Sequence, residues 1–161
     1  MTTQTHLHDT ENDPTERQQW MAVLSRADGQ ALKKSWKALS NAPAWEYLRR
    51  PETGLVMVRG RMGGTGRRFN LGEMTLTRCA VRLITMNITG FGYVAGYAHE
   101  HAMLAALFDA LLQDQSHHQQ VMETLITPEA ERIAQARERK SRQAAATRAS
   151  FFTLERGHIG I

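Results

Sequence analysis

The stretch from residue 60 to 68, GRMGGTGRR, has the residue types and spacing most suggestive of chemistry. Glycines let successive backbone N–H groups converge on a phosphate, and flanking arginines add guanidinium donors suited to an oxyanion. The stretch is not a P-loop, because it lacks the Gly-Lys-Ser/Thr ending and opens no helix. It is not a dinucleotide-binding GxGxxG either, since no strand-to-helix turn is predicted there. Two interpretations stay open, a phosphate-binding tip and a solvent-exposed hairpin turn.

Histidines form two further groups, HEH at 99–101 and HH at 117–118. On a helix, residues two apart point about 200° away from each other, so the first pair does not converge as an HExxH pair does. In a continuous helix His101 and His117 would lie about 24 Å apart, although a bend in the polar segment 113–120 would change that distance. We predict no metal site. No Ser/His/Asp set and no paired carboxylates are evident from spacing, so we also predict no catalytic residue.

The elements that must position these groups predict an α+β fold. Two helices with tryptophans on their apolar faces predict an N-terminal helical hairpin, started by Asp13 as cap and Pro14 as first helical residue. Alternating patterns then predict an antiparallel sheet of about four or five strands, with Pro51 ending the first. The predicted segments are residues 44–49, 53–62, 67–71, 75–84 and 88–97.

Glycines and one cysteine mark close packing in this sheet. Gly90, Gly92 and Gly96 share a face of the last predicted strand, which indicates that a backbone, a helix or a ligand approaches closely. We favour a packed helix. Cys79 lies on a strand face among apolar residues, so we interpret it as a small buried residue rather than a nucleophile.

The C-terminal part predicts helices and an extended tail. An amphipathic helix begins near Glu100 and is expected to break or bend at residues 114–118. Thr127 and Pro128 then start a last helix, 128–148, which is polar nearly all round and is expected to splay from the domain. The tail at 149–161 needs a place to bury its apolar residues, either on its own domain or on a partner subunit. These partner-binding candidates are Phe151, Phe152 and Leu154.

Length and composition are those of a single globular domain. The chain has 161 residues, 42% hydrophobic and 22% charged, and we expect one domain at 14–148 after a disordered lead-in at 1–13. The lead-in lacks the basic start and apolar core of a secretory signal, and a single cysteine suits a reducing cytoplasm. A net charge of +4 and a pI of about 9.6 favour anionic partners.

Long, collinear pieces of the chain resemble the PhnG family, the G subunits of the bacterial carbon–phosphorus lyase core complex. The pieces are PETGLVMVRGRMGGTGRRFNLGEMTLTRCAVRL, GYVAGY, HAMLAALFDALLQ and AATRASFFTLERG, and the resemblance runs from residue 17 to 157. At one point the chain departs from the family, because Tyr97-Ala98 stands where Arg-Asp is usual. A contact that depends on that pair would be altered here.

The resemblance implies a role in phosphonate degradation. It implies H, I and J partner subunits and an ATPase-like L subunit. In that pathway the I subunit, supported by G, H and L, displaces adenine from ATP with a phosphonate, and the J subunit later cleaves the carbon–phosphorus bond. It also implies ATP with Mg, S-adenosylmethionine and an iron–sulfur cluster on other subunits, with no cofactor bound by this chain alone. A chain with one cysteine cannot hold that cluster, in agreement with a supporting role. Catalysis is assigned to other subunits, so no catalytic residue is carried over.

Because the implied substrates are polyanionic, arginines near the glycine-rich tip become candidates for binding substrate. The complete candidate set is Arg59, Arg61, Gly63, Gly64, Thr65, Gly66, Arg67, Arg78 and Arg82. Two other classes of function compete with the subunit interpretation. One is a free-standing nucleic-acid-binding module that uses the basic last helix, which lacks aromatic residues for base stacking. The other is an independent metal-dependent hydrolase that uses the histidines.

Overall fold

The computed structural model describes the backbone of residues 15–62 and 65–156, and side chains as far as residue 146. The expected disordered lead-in at 1–13 lies outside the described residues, as do Gly63 and Gly64. The side chains of Phe151, Phe152 and Leu154 also lie outside them, so their docking role stays a prediction.

Two short helices begin the described chain, α1 at Glu16–Leu24 and α2 at Gly29–Ala38. Thr15 caps α1 in a capping box, in which its hydroxyl accepts from the Gln18 N–H at 3.3 Å and the Gln18 side chain accepts from the Thr15 N–H at 2.8 Å. The prediction that Asp13 caps this helix was therefore wrong by two positions. Asp28 caps α2 by accepting from the Gln30 N–H.

Both helices pack a tryptophan against the rest of the domain, as predicted. Trp20 of α1 is buried, and Trp36 of α2 meets the ring of Phe108 edge-on with ring centroids 5.9 Å apart. Such aromatic contacts hold the helical hairpin against the long helix that follows the sheet.

The sheet has three antiparallel strands in the order β1-β2-β3: β1 at Trp45–Arg61, β2 at Arg68–Leu83 and β3 at Ile88–Ala95. The prediction of four or five strands was too high, because predicted segments merge. Pro51 does not end a strand, since it lies in a register irregularity of β1 between Arg49 and Glu52, where a missing N–H disrupts no regular pair. Leu71 is the extra residue of a bulge in β2, which continues through it.

The strands differ in length, and this difference shapes the molecule. β3 pairs only with the Leu76–Leu83 part of β2. Beyond that point the β1–β2 hairpin continues as a two-stranded projection, which we call the arm (residues 54–58 and 69–75). Residues 59–68 form the end of this projection and are called the tip.

One face of the sheet is covered by α3, His99–Leu112, which is buried along most of its length. A Cβ placed on Gly90 would lie 2.0 Å from the backbone oxygen of Ala106, and one on Gly92 would lie 2.0 Å from that of Ala102. The glycine row predicted a close neighbour on this face, and the packed helix that we favoured is confirmed at Gly90 and Gly92. At Gly96 the prediction was wrong, because this residue follows the end of β3 with a φ of 82° and nothing lies within 4 Å of an added Cβ.

After α3 the chain turns at Gln113 and Asp114 and forms one further helical run: α4 at Gln115–Val121, a π-helical segment at Met122–Ile126, and α5 at Thr127–Arg156. The interruption predicted at residues 114–118 is present, but it begins one residue earlier, at Gln113. The π-helical segment precedes Pro128, whose ring and missing N–H disfavour regular α-helical bonding to the preceding turn. The last helix was predicted to end at Arg148, but it continues to Arg156.

Helix α5 separates from the domain as it proceeds. Glu129 near its start is buried, accepts from the Asp28 backbone N–H at 2.8 Å and pairs with Arg132. Residues 137–146 are all exposed, as expected for a helix with little apolar surface. No helix among the described residues is both long enough and apolar enough to cross a membrane.

Candidate anion and partner interface on the hairpin arm

The tip is closed by a short turn. The Gly66 N–H donates to the Met62 carbonyl at 2.9 Å, and a Cβ on Gly66 would lie 2.7 Å from that oxygen. A glycine is therefore required at this position for the turn to close. Thr65 and Gly66 lie in this turn, between the two strands that carry the arginines, β1 and β2.

Four arginines gather at this end of the arm, and all four are exposed. Arg61 and Arg68 are directly opposite each other across the two strands. Like charges in that position destabilise a strand pair, so the isolated hairpin carries an unrelieved repulsion. Arg59 and Arg67 add further positive charge, and none of the four forms an ion pair within the described residues. The electrostatics of this end therefore favour an anion.

Arg78 and Arg82 lie elsewhere, on the face of the sheet that no helix of the described residues covers. The Arg78 Nε lies 2.6 Å from Glu52 Oε1, and Arg82 is paired with Glu46. The hydrogen bond from Arg78 is the main cause that lowers the pKa of Glu52. At about 3.3 Å per residue, Arg78 lies roughly 30 Å along β2 from Arg68. The structure therefore divides the candidate arginines into an unpaired group at the arm's end and a paired group at its base.

Apolar side chains are exposed along the whole arm. Strand alternation places Leu55 and Met57 on the side of α3, beyond the reach of that helix, and Val56 and Met74 on the opposite side. Leu71, the extra residue of the bulge, is also exposed. The exposed large apolar residues of the arm and tip are Leu55, Val56, Met57, Met62, Phe69, Leu71 and Met74. Sequence analysis missed this surface, although the unbroken apolar run at 55–58 signalled a strand with no polar face.

Asp109 is a second group whose importance the sequence did not reveal. Its carboxylate is fully buried and accepts four hydrogen bonds: two from the Arg17 guanidinium at 2.8 and 3.2 Å, one from Trp20 Nε1 at 2.9 Å, and one from the Phe91 N–H at 2.8 Å. The side-chain hydrogen bond with Asp109 raises the pKa of Arg17. Its donors come from α1 and β3, so Asp109 joins three elements and has a structural role.

The histidines diverge, as their spacing predicted. His99 Nε2 lies 3.0 Å from the Thr53 hydroxyl, whereas His101 Nε2 lies 2.8 Å from the Leu24 carbonyl. His117 pairs with Asp114 at 2.5 Å. Within the part of the chain that the structure describes, no three His, Cys, Asp or Glu side chains are grouped to hold a metal ion.

Cys79 is buried, which confirms its interpretation as a packing residue. Its Sγ lies 3.4 Å from the Arg49 carbonyl, and burial raises the pKa of the thiol to about 11. A thiol in this state is a poor nucleophile near neutral pH.

The fold and the arm define a class: a basic α+β protein with a projecting hairpin that exposes both arginines and large apolar side chains, a combination suited to binding. A family model described as phosphonate metabolism protein PhnG matches residues 15–157, and the chain belongs to this family. It is 44% identical, over 142 residues, to the alpha-D-ribose 1-methylphosphonate 5-triphosphate synthase subunit PhnG of Rhizobium meliloti (strain 1021). That alignment covers 88% of this chain and 90% of the relative. The resemblance found in the central stretch is confirmed.

Proposed function

We propose that this chain is a subunit of an alpha-D-ribose 1-methylphosphonate 5-triphosphate synthase. It supports a reaction in which a phosphonate oxygen forms a bond to ribose C1 of ATP and the adenine leaves. Its partners in the cytoplasm are the H, I and J subunits and an ATPase-like L subunit, which hold ATP with Mg, S-adenosylmethionine and the iron–sulfur cluster. The name of the Rhizobium relative and the coverage of the family match support this assignment.

Within that complex, the tip binds a polyanionic part of the substrate. The observation that carries this role is the cross-strand pair of Arg61 and Arg68, with Arg59 and Arg67 beside it and no carboxylate paired to any of them in the described residues. An anion at this place offsets the like-charge repulsion and accepts bidentate hydrogen bonds from guanidinium groups. A triphosphate or a phosphonate has the required charge and oxygen atoms.

The paired arginines at the base are assigned a different role. Arg78 and Arg82 already have carboxylate partners, Glu52 and Glu46, and an incoming anion would have to displace them. We therefore place the bound anion at the tip and regard the base pairs as supports of the strand pairing.

The test is a double substitution, Arg61→Ala with Arg67→Ala, in the intact complex. Hydrogen bonds to charged groups contribute roughly 1.5–3 kcal/mol each, so we expect nucleoside-transfer activity to fall about tenfold or more. The variant is expected to assemble into a complex with the same subunit composition as the wild type. The matched control is Arg137→Ala with Arg139→Ala on the exposed part of α5, which removes equal charge and leaves activity intact. Normal activity in the tip variant refutes the anion-binding role.

A further inference from the structure

The arm exposes apolar surface on both of its faces at once. Leu55 on one face and Leu71 at the bulge are each 66% exposed, and Phe69 on the other face is 42% exposed. No helix of the described chain covers either face here, because α3 packs on the sheet where β3 is present. Contiguous apolar surface of this kind marks a binding site rather than ordinary solvent-facing residues.

The arm also has an unprotected strand edge. At the outer edge of β3, the Phe91 N–H donates to Asp109 and the Thr89 carbonyl accepts from Gln113 at 2.9 Å, so side chains of α3 cover that edge. The edge of β2 has no such cover beyond Thr75, whose carbonyl accepts from the Gly96 N–H at 2.8 Å. In the described chain, the Arg68–Met74 part of β2 pairs only with β1. Folded proteins normally protect such edges, so the exposed edge of β2 indicates a binding site for another segment of protein.

Charge identifies the kind of occupant. Residues 54–75 contain one carboxylate, that of Glu73, and four arginines: Arg59, Arg61, Arg67 and Arg68. A second copy of this chain would bring two sets of arginines together and add to the repulsion already present between Arg61 and Arg68. A surface of opposite charge lowers that repulsion, and apolar side chains on the same surface would bury the apolar faces of the arm.

We propose that the arm inserts into an apolar-lined, acidic groove on another subunit, which encloses both faces of the hairpin and contacts the open edge of β2. The proposal rests on the proposed function, because the groove belongs to a fellow subunit of the synthase. Insertion fixes the arm along residues 54–58 and 70–75 and thereby carries the tip arginines into the partner. The arginines that favour an acidic partner are also those assigned to the substrate anion, but the apolar docking residues Leu55 and Leu71 are distinct from them, so docking and anion binding are tested by separate substitutions.

The test compares assembly of full-length chains expressed together with the other subunits of the synthase. The variant is Leu55→Ser with Leu71→Ser, and the matched control is Ile84→Ser, which is 55% exposed but lies outside the arm. Because docking would remove both leucine side chains from water, we expect the arm variant to lose about a hundredfold in affinity for the assembly. The control is expected to assemble like the wild type. Both variants are expected to retain the wild-type circular dichroism spectrum and thermal midpoint, since the substituted side chains are largely exposed.

Amide hydrogen exchange provides a second measurement on the wild-type complex. Assembly is expected to slow exchange at residues 68–75 and to leave β3, already covered by α3, unchanged. If the arm variant assembles as tightly as the wild type, or exchange at 68–75 does not change, the arm proposal is wrong while the proposed function stands. If the wild-type chain joins no other subunit, both proposals fall. If the isolated chain forms a dimer that the arm variant abolishes, the occupant is a second copy and the acidic groove is refuted.

Discussion

Replacing Asp109 by asparagine is expected to destabilise the whole domain. The substitution preserves shape but exchanges one carboxylate oxygen for an NH2 donor. Oδ1 receives the Trp20 indole N–H and Oδ2 receives the Phe91 backbone N–H. Whichever oxygen is replaced, one of these N–H donors then faces another donor in a site closed to solvent.

The expected cost has two parts. Leaving one buried donor unsatisfied costs about 1–3 kcal/mol. Losing the charge-assisted pair with Arg17 adds less than a fully buried pair would, because the Arg17 side chain is 38% exposed and can be rehydrated. Together these terms predict a loss of about 3 kcal/mol, a large share of the roughly 5–15 kcal/mol available to a typical domain.

Urea unfolding of the full-length chain, followed by tryptophan fluorescence, measures this loss. With a typical slope of about 2 kcal/mol per molar urea, the midpoint is expected to fall by about 1.5 M. Glu52→Gln is the matched control, because its carboxylate also accepts from two arginines but is 48% exposed, so its loss is expected to shift the midpoint much less. A change in Asp109→Asn no larger than that of Glu52→Gln refutes the structural role given to Asp109.

Two further predictions concern buried packing. Gly90→Ala places a methyl group 2.0 Å from the Ala106 backbone oxygen and is expected to cost about 3 kcal/mol or more in the same urea assay. Gly54→Ala, with nothing within 4 Å of its added Cβ, is expected to unfold with nearly wild-type stability, and equal effects at the two glycines would contradict the packing. Burial raises the pKa of Cys79 from 9.0 to about 11, so the folded state retains its thiol proton where the unfolded state loses it. The free energy of unfolding is therefore expected to fall as pH rises from about 9 to about 11, less steeply in Cys79→Ala; identical pH profiles would contradict this linkage.

Much of the fold was predictable because its signals are local. Helical spacing of Trp20 and Leu24 predicted a buried face, and the glycines at 90 and 92 predicted a close helix without any knowledge of which helix it was. Strand boundaries were less predictable. Pro51 normally ends a strand, but a change of register in the pairing with β2 lets β1 continue past it.

The candidate site was only partly predictable, because the residues that form a site are decided by distances in space in the folded protein. The sequence placed arginines on both sides of a glycine-rich tip, and the structure confirms a hairpin there with Arg61 opposite Arg68. Sequence alone also grouped Arg78 with them. In the structure, Arg78 lies roughly 30 Å along β2 from Arg68. Arg78 also has a partner of its own, because it forms an ion pair with Glu52.

By itself, the sequence determined the α+β class, the presence of the helices, the basic tip and the family, because each depends on residue types at short spacing or on collinear motifs. It predicted an amphipathic helix from Glu100, but α3 is buried at every residue from Leu104 to Leu112. Only the tertiary structure decided what is covered and what is left open. Arg17 and Trp20 join Phe91 at Asp109 although they precede Asp109 by 92 and 89 residues along the chain. The arm is exposed because β3 ends before the hairpin does. Burial depends on which elements end where in space, and no local pattern contains that information.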